Sequence, residues 1–93
     1  MGYRIELDEI ETALNEIDAI RECAIIFGKK NGYQEITAIV CSSMKKQAIK
    51  LDLKEKIPEF MIPRKIIYKE SLPKNVNGKI DRKQLSEEHF DTI

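Results

Sequence analysis

The sequence contains no tryptophan, one histidine, two cysteines and three prolines, and aromatic residues make up only 6% of it. Each shortage removes a class of function. The lone histidine, His89, builds neither a catalytic triad nor a multi-histidine metal site, and its place near the end of the chain makes it a surface side chain on a terminal helix. Cys23 and Cys41 stand far apart and outside any CxxC pair, which argues against zinc or a redox motif and leaves two buried small hydrophobes. Single-strand nucleic-acid binders interleave stacking rings with charge, and the scarcity of aromatics near the lysines disfavours that partner. No phosphate-cradling P-loop, Rossmann glycine pattern or GxSxG elbow occurs, so self-contained catalysis is not expected. No apolar run approaches the length that crosses a bilayer. The start Met1-Gly2-Tyr3-Arg4 has no signal-peptide core, and Glu6 stands where a myristoylation motif wants Ser or Thr. A cytoplasmic protein without membrane contact is the expectation.

What is present is an ordinary globular composition, 42% hydrophobic and 34% charged over 93 residues. A chain of that size holds one core, so residues 1–93 are read as a single domain. Its formal net charge is zero, yet residues 1–22 hold two basic and seven acidic side chains while residues 64–83 hold seven basic and two acidic. A polarised surface is expected from this, either as a solvated face or as an attraction for an anion such as a nucleotide, phosphopantetheine or nucleic acid.

The periodicity predicts an α+β fold: a small sheet of about three strands, with a central antiparallel hairpin over 23–42, packed with two main helices and a short C-terminal helix. Asp8-x-x-Glu11 offers an N-cap and a residue that reaches back to it, and Ile10, Ala13, Leu14 and Ile17 follow at helical spacing. Residues 23–30 and 34–42 read as strands around Asn31-Gly32, the dipeptide that best tolerates two positive φ angles. A symmetric two-residue turn pairs residues whose numbers sum to 63, which sets Phe27 against Ile36, Ile25 against Ala38 and Cys23 against Val40 on one apolar face. Cys41 then points to the other face, which opposes a disulfide with Cys23. Ser42 or Ser43 is read as the cap of a second helix reaching about Ile57, with Ile49, Leu53 and Ile57 at four-residue spacing. Residues 64–69 make a third strand between Pro63 and Pro73. Asp81-x-x-Gln84 starts a last helix anchored by Leu85, and the tail beyond Phe90 is expected to fray.

Asn77-Gly78-Lys79-Ile80-Asp81-Arg82 carries the chemistry. Asn-Gly favours a tight turn that throws the next side chain, Lys79, to its tip. An ammonium so placed pairs with carboxylate or phosphate oxygens. In a water-excluded site a preorganised donor of this kind is worth about 3–4 kcal/mol. In open water it contributes little, and a surface hairpin with an idle lysine is the plain alternative from these six residues alone.

Three motifs in order supply context. Gly2-Tyr3-Arg4-Ile5-Glu6-Leu7-Asp8-Glu9-Ile10-Glu11, Phe60-Met61-Ile62-Pro63 and Asn77-Gly78-Lys79-Ile80-Asp81-Arg82 resemble the post-hinge, second and terminal-lysine motifs of the C-terminal subdomain of acyl-adenylate-forming synthetases. The resemblance covers residues 2 to about 85. It implies a two-step ligase: a carboxylic acid and ATP, with magnesium, give an acyl-adenylate and pyrophosphate, and a thiol of phosphopantetheine or CoA then takes the acyl group. In such enzymes the subdomain is a mobile lid. By this likeness Lys79 is the catalytic residue of the first step, with Asn77 and Gly78 supporting its loop. Gly2, Tyr3 and Arg4 line the pantetheine tunnel after the lid rotates.

Gly2 has no Cβ to obstruct a slim ligand, though it also reads as an incidental residue at the chain start, and Arg4 either faces a phosphate or pairs with a neighbouring acid. Glu6, Glu9 and Glu11 take capping and surface roles. No metal ligand is assigned. The implied partners are the N-terminal subdomain of the same enzyme, which binds ATP and the acyl group, and an acyl or peptidyl carrier protein. The start at Met1-Gly2, just past where the hinge would fall, suggests a domain boundary, and the fragment alone is expected to be inactive. Asn77 before Gly78-Lys79, and Asp81-Arg82 after, are most similar to amino-acid-activating enzymes that load carrier proteins, including peptide synthetase modules and D-alanine ligases of teichoic acid synthesis. An acyl-CoA synthetase lid is the alternative within the family; a noncatalytic interaction or nucleic-acid-binding domain is the alternative outside it.

Overall fold

The computed structural model describes residues 6–90. In chain order the elements are α1 (Leu7–Asn15), β1 (Ile20–Lys30), β2 (Tyr33–Ser42), α2 (Lys46–Lys54), a 3-10 turn (Glu59–Met61), β3 (Lys65–Tyr68) and α3 (Arg82–His89). Among the described residues, three helices and one three-stranded sheet make the α+β fold that the periodicity predicts. The sheet order is β1-β2-β3, with β1 and β2 antiparallel and β3 parallel to β2. Parallel neighbours need a long crossover, and α2 provides it between β2 and β3.

The hairpin follows the predicted register. Asn31 and Gly32 take φ of 54° and 84°, the two positive values that a tight two-residue turn demands. Phe27 faces Ile36, Ile25 faces Ala38 and Cys23 faces Val40, as the sum rule requires. The ladder runs further back than expected, to Ile20 opposite Ser42, after an irregularity between Ile20 and Glu22.

Both faces of the sheet are covered. Cys23, Ile25, Ala38 and Val40 join Ile10, Leu14, Ile49 and Leu53 on the side of α1 and α2. Ala24, Ile26, Ile39 and Cys41 join Leu72, Leu85 and Phe90 on the side of α3. This explains why residues 23–26 and 38–41 are unbroken apolar runs, the pattern of strands buried on two faces. Cys23 and Cys41 are free, buried and on opposite faces. Phe27 departs from the expectation: at the end of the ladder it is 47% exposed.

Helix starts differ from the sequence reading at two of three places. α1 begins at Leu7 with Glu6 as N-cap and no side-chain capping bond, so Asp8 lies inside the helix, where its carbonyl accepts from Thr12 Oγ1 at 2.8 Å. α2 begins at Lys46, again without a side-chain cap, and ends at Lys54 rather than Ile57. Ser42 Oγ accepts instead from Met44 N at 3.0 Å and donates to the Ala19 carbonyl at 2.9 Å, tying the end of β2 to the loop after α1. In both cases burial of an apolar helix face outweighs capping, a contribution of only about 1 kcal/mol. α3 starts as expected, with the Asp81 carboxylate accepting from Gln84 N at 3.0 Å and Leu85 fully buried.

Candidate functional site

Between Leu72 and Asp81 the chain leaves the sheet and returns as a short hairpin. An antiparallel bridge between Lys74 and Ile80 forms its neck, closed below by Asp81 N donating to the Pro73 carbonyl at 2.8 Å. Above the neck, Asn75 N donates to the Lys79 carbonyl at 2.8 Å and Gly78 N to the Asn75 carbonyl at 2.9 Å. Gly78 has φ of 79°, the left-handed value that ends a three-residue hairpin loop. The Asn75 carboxamide oxygen accepts from Asn77 N at 2.9 Å and Lys79 N at 3.1 Å, so one side chain holds the turn from inside.

This corrects the expected place of Lys79. The tip is Val76, which is 100% exposed, and Lys79 stands where the strand leaves the turn. Its amide is pinned by Asn75 while its side chain is exposed. Among the described residues its ammonium has no hydrogen bond or ion pair. The neighbouring cations are engaged. Lys74 Nζ lies 2.8 Å from a Glu22 carboxylate oxygen, and the Arg82 guanidinium grips Glu11 through Nε and Nη2. The acidic N-terminal block and the basic C-terminal block therefore meet and pair across the fold at these points, which reduces the polarised surface anticipated from their separation in sequence. Among the described residues Lys79 is left as the unpaired cation of its motif.

Pairing shifts the groups involved. The hydrogen bond from Lys74 holds the Glu22 carboxyl below its ordinary value of 4.5, and the bond to Glu11 raises the Arg82 guanidinium. Burial, then the nearby Glu11 charge, pushes the Cys23 thiol from 9.0 to about 11. Burial and the Glu22 charge raise Cys41 as well. Neither thiol is set up as a nucleophile, which needs a lowered value and access.

Of the sequence-predicted site residues, Asn77, Gly78 and Lys79 come together in this hairpin; Gly2, Tyr3 and Arg4 lie outside the described residues. Among the described residues no group of three or more His, Cys, Asp or Glu side chains converges as a metal site, and no helix is long and apolar enough to cross a membrane. Asn75, Lys74 and Glu22 are not singled out by the sequence, and Glu11, expected in a capping and surface role, instead binds Ile25 N and the Arg82 guanidinium with its carboxylate mostly buried. Asn75-x-Asn77 is the local signal for the first, a side chain bonding its own backbone two residues on. The ion pairs span 52 and 71 residues of sequence and leave no local signal.

Comparison with known proteins adds independent findings. A family model described as the AMP-binding enzyme C-terminal domain matches residues 9–79. A D-alanine–D-alanyl carrier protein ligase of Listeria welshimeri is 46% identical over 96 residues, covering 94% of this chain and 19% of that ligase. The chain thus spans about a fifth of the length of such relatives. Klebsiella oxytoca NpsA, solved in complex with 3-hydroxyanthranilyl-AMSN, superposes with a TM-score of 0.85 at 27% identity, over 94% of this chain and 18% of that one. A Mycobacterium tuberculosis fatty acyl CoA synthetase does so with a TM-score of 0.85 at 25% identity, over 95% and 18%.

Proposed function

The chain belongs to the AMP-binding enzyme C-terminal domain family, and from that premise we propose that it is the mobile lid of an ATP-dependent amino-acid adenylating ligase, with Lys79 as its catalytic cation. The observation that carries this is the Lys79 ammonium, exposed and without a partner among the described residues on a turn that an internal side chain holds in shape.

In the first half-reaction a carboxylate oxygen attacks the α-phosphorus of ATP. An O–P bond forms, the bond to pyrophosphate breaks, and negative charge is redistributed over the carboxylate and phosphoryl oxygens. A cation delivered there lowers the barrier, provided water is excluded. On an open surface the same charge contributes about 0–1 kcal/mol, so the lysine acts only when the hairpin closes over a second surface. That surface, together with the binding of ATP, its magnesium and the acid, belongs in this proposal to the four-fifths of the relatives that the chain does not span. Alone, the chain catalyses neither half-reaction.

In the second half-reaction a thiol sulfur attacks the acyl carbonyl carbon. A C–S bond forms, the C–O bond to AMP breaks so that AMP leaves, and the thiol proton is released. A lysine still bridging those oxygens would stand in the way. Rotation of the lid removes it and brings up Gly2, Tyr3 and Arg4 to line a tunnel for phosphopantetheine. Support for a carrier-protein acceptor comes from the relatives named as D-alanyl carrier protein ligases, which also makes D-alanine the first acid to test. Peptide synthetase modules use the same arrangement. An ATP-consuming ligase of this kind acts in the cytoplasm.

An acyl-CoA synthetase lid is the second reading, favoured by the close superposition on the fatty acyl CoA synthetase. The test joins this chain to the nucleotide- and acyl-binding part that its relatives carry. Lys79→Ala should cut amino-acid-dependent pyrophosphate exchange by at least about 10²-fold, the scale of one lost preorganised donor. Transfer from a preformed adenylate should suffer much less, and a carrier protein should accept better than CoA. Equal damage to both halves contradicts the alternating lid, and no damage to either makes Lys79 an ordinary surface residue.

A further inference from the structure

The hairpin that carries Lys79 stands on a narrow neck, and two carboxylates from outside it grip the two ends. Its entry is held by Glu22 of β1: one oxygen accepts from Lys74 Nζ at 2.8 Å, the other from Leu72 N at 3.3 Å. Its exit is held by Glu11 of α1, which accepts from Arg82 through Nε at 3.0 Å and through Nη2. The same Glu11 carboxylate accepts from Ile25 N at 2.8 Å. β1 is an edge strand, so Glu11 satisfies a backbone donor of the sheet and the guanidinium of the hairpin's exit at once.

The two grips differ in quality. The Glu11 side chain is only 13% exposed and makes a two-pronged contact with a guanidinium, a geometry that fixes direction as well as distance. Glu22 and Lys74 are each more than a third exposed, where water weakens the attraction. Between the grips, the bonds of residues 75–79 run within the hairpin, from Asn75 and back to it. Only Leu72 and Ile80, at its base, pack on the α3 side of the sheet. The turn is therefore closed by its own exposed bonds alone, and both its direction relative to the sheet and how often those bonds open depend on what holds its ends.

We propose that Glu11 and Glu22 are positioning residues for Lys79, with Glu11 the stronger, so that α1, the edge of the sheet and the lysine hairpin turn together as one body. The role given to the lysine rests on the function proposed above; the mechanical claim about the hairpin does not, and the two are tested separately.

The mechanical claim is tested on this chain. Glu11→Gln keeps an oxygen to accept from Ile25 N and removes the charge from Arg82. Amide hydrogen exchange at Asn75, Asn77, Gly78 and Lys79 should then quicken by about tenfold, the scale of one charged hydrogen bond, while amides of the β1–β2 ladder change much less. Lys74→Met, at an exposed position, releases the entry alone and should give a smaller increase. Hairpin amides that exchange as in the parent chain in both variants overturn the proposal, and so does equal acceleration throughout the ladder, which would make Glu11 a general stabiliser.

In the joined enzyme, Glu11→Gln should lower kcat for adenylation by about tenfold, with KM for ATP and transfer from preformed adenylate nearly unchanged. Equal loss in both half-reactions, in step with a lowered Tm, overturns the positioning role. If Lys79→Ala leaves adenylation intact while the exchange results hold, the catalytic reading fails and the mechanical claim stands.

Discussion

Asn31-Gly32 and Asn77-Gly78 are the same dipeptide in two turns built differently. At the first, both residues take positive φ and the chain reverses in two residues at the end of a long ladder. At the second, only Gly78 does; the loop is longer, the hairpin has a single bridge, and Asn75 supplies the bonds that a ladder would otherwise give. The first turn is backed by two cores, one on each face of its strands. The second is backed by its own side chain and by carboxylates at its ends. One turn fixes register; the other presents an exposed ammonium without fixing anything around it.

If that contrast is right, removing core beneath the first turn costs far more than removing what little lies beneath the second. Ile25→Ala, at a fully buried position opposite Ala38, should lower unfolding stability by about 2–5 kcal/mol. Ile80→Ala, half-buried at the neck of the lysine hairpin, should cost clearly less. Urea unfolding of both variants measures the difference, and equal costs would break the comparison.

Titration should separate the two regions from opposite ends of the pH scale. Cys23, under the ladder and facing Glu11 and Arg82, has its thiol raised by burial from 9.0 to about 11. A raised value means that its contribution is whole below about 9 and is lost as pH climbs through about 11, so alkali loosens the ladder region. Glu22, at the neck of the hairpin, is lowered from 4.5 chiefly by the bond from Lys74. Its contribution is whole above 4.5 and is lost as pH falls through the lower value in the folded protein, so acid loosens the hairpin. Cys23→Ala should remove part of the alkaline loss, and Glu22→Gln part of the acid loss, in unfolding curves taken across pH.

The same contrast marks what could be read in the sequence. The register followed from Asn31-Gly32 because a symmetric two-residue turn leaves no freedom, and α3 followed from Asp81 because its carboxylate does cap Gln84 N. The N-caps of α1 and α2, Glu6 and Lys45, make no side-chain capping bond, so a search for caps places both starts elsewhere. The parallel pairing of β3 was not legible, since a lone four-residue strand carries no mark of its direction. The motif around Lys79 is legible in the sequence, and the structure shows its turn. The groups that hold its hairpin come from α1 and β1, far away in sequence, and only folding brings them together.

Gly32 and Gly78 offer the most direct test, because they differ in role and hardly at all in local sterics. Both have positive φ, and a Cβ built at either meets nothing within 4 Å. Alanine at each therefore adds the same left-handed backbone strain, about 1–2 kcal/mol. At Gly32 the ladder resists and stability absorbs the strain; at Gly78 the turn yields and Lys79 moves. Amino-acid-dependent pyrophosphate exchange by the joined enzyme should fall by about tenfold or more for Gly78→Ala, as for a misplaced catalytic group, and remain near the parent rate for Gly32→Ala. Equal rates for the two variants would contradict the assignment of Lys79 as the cation this domain delivers.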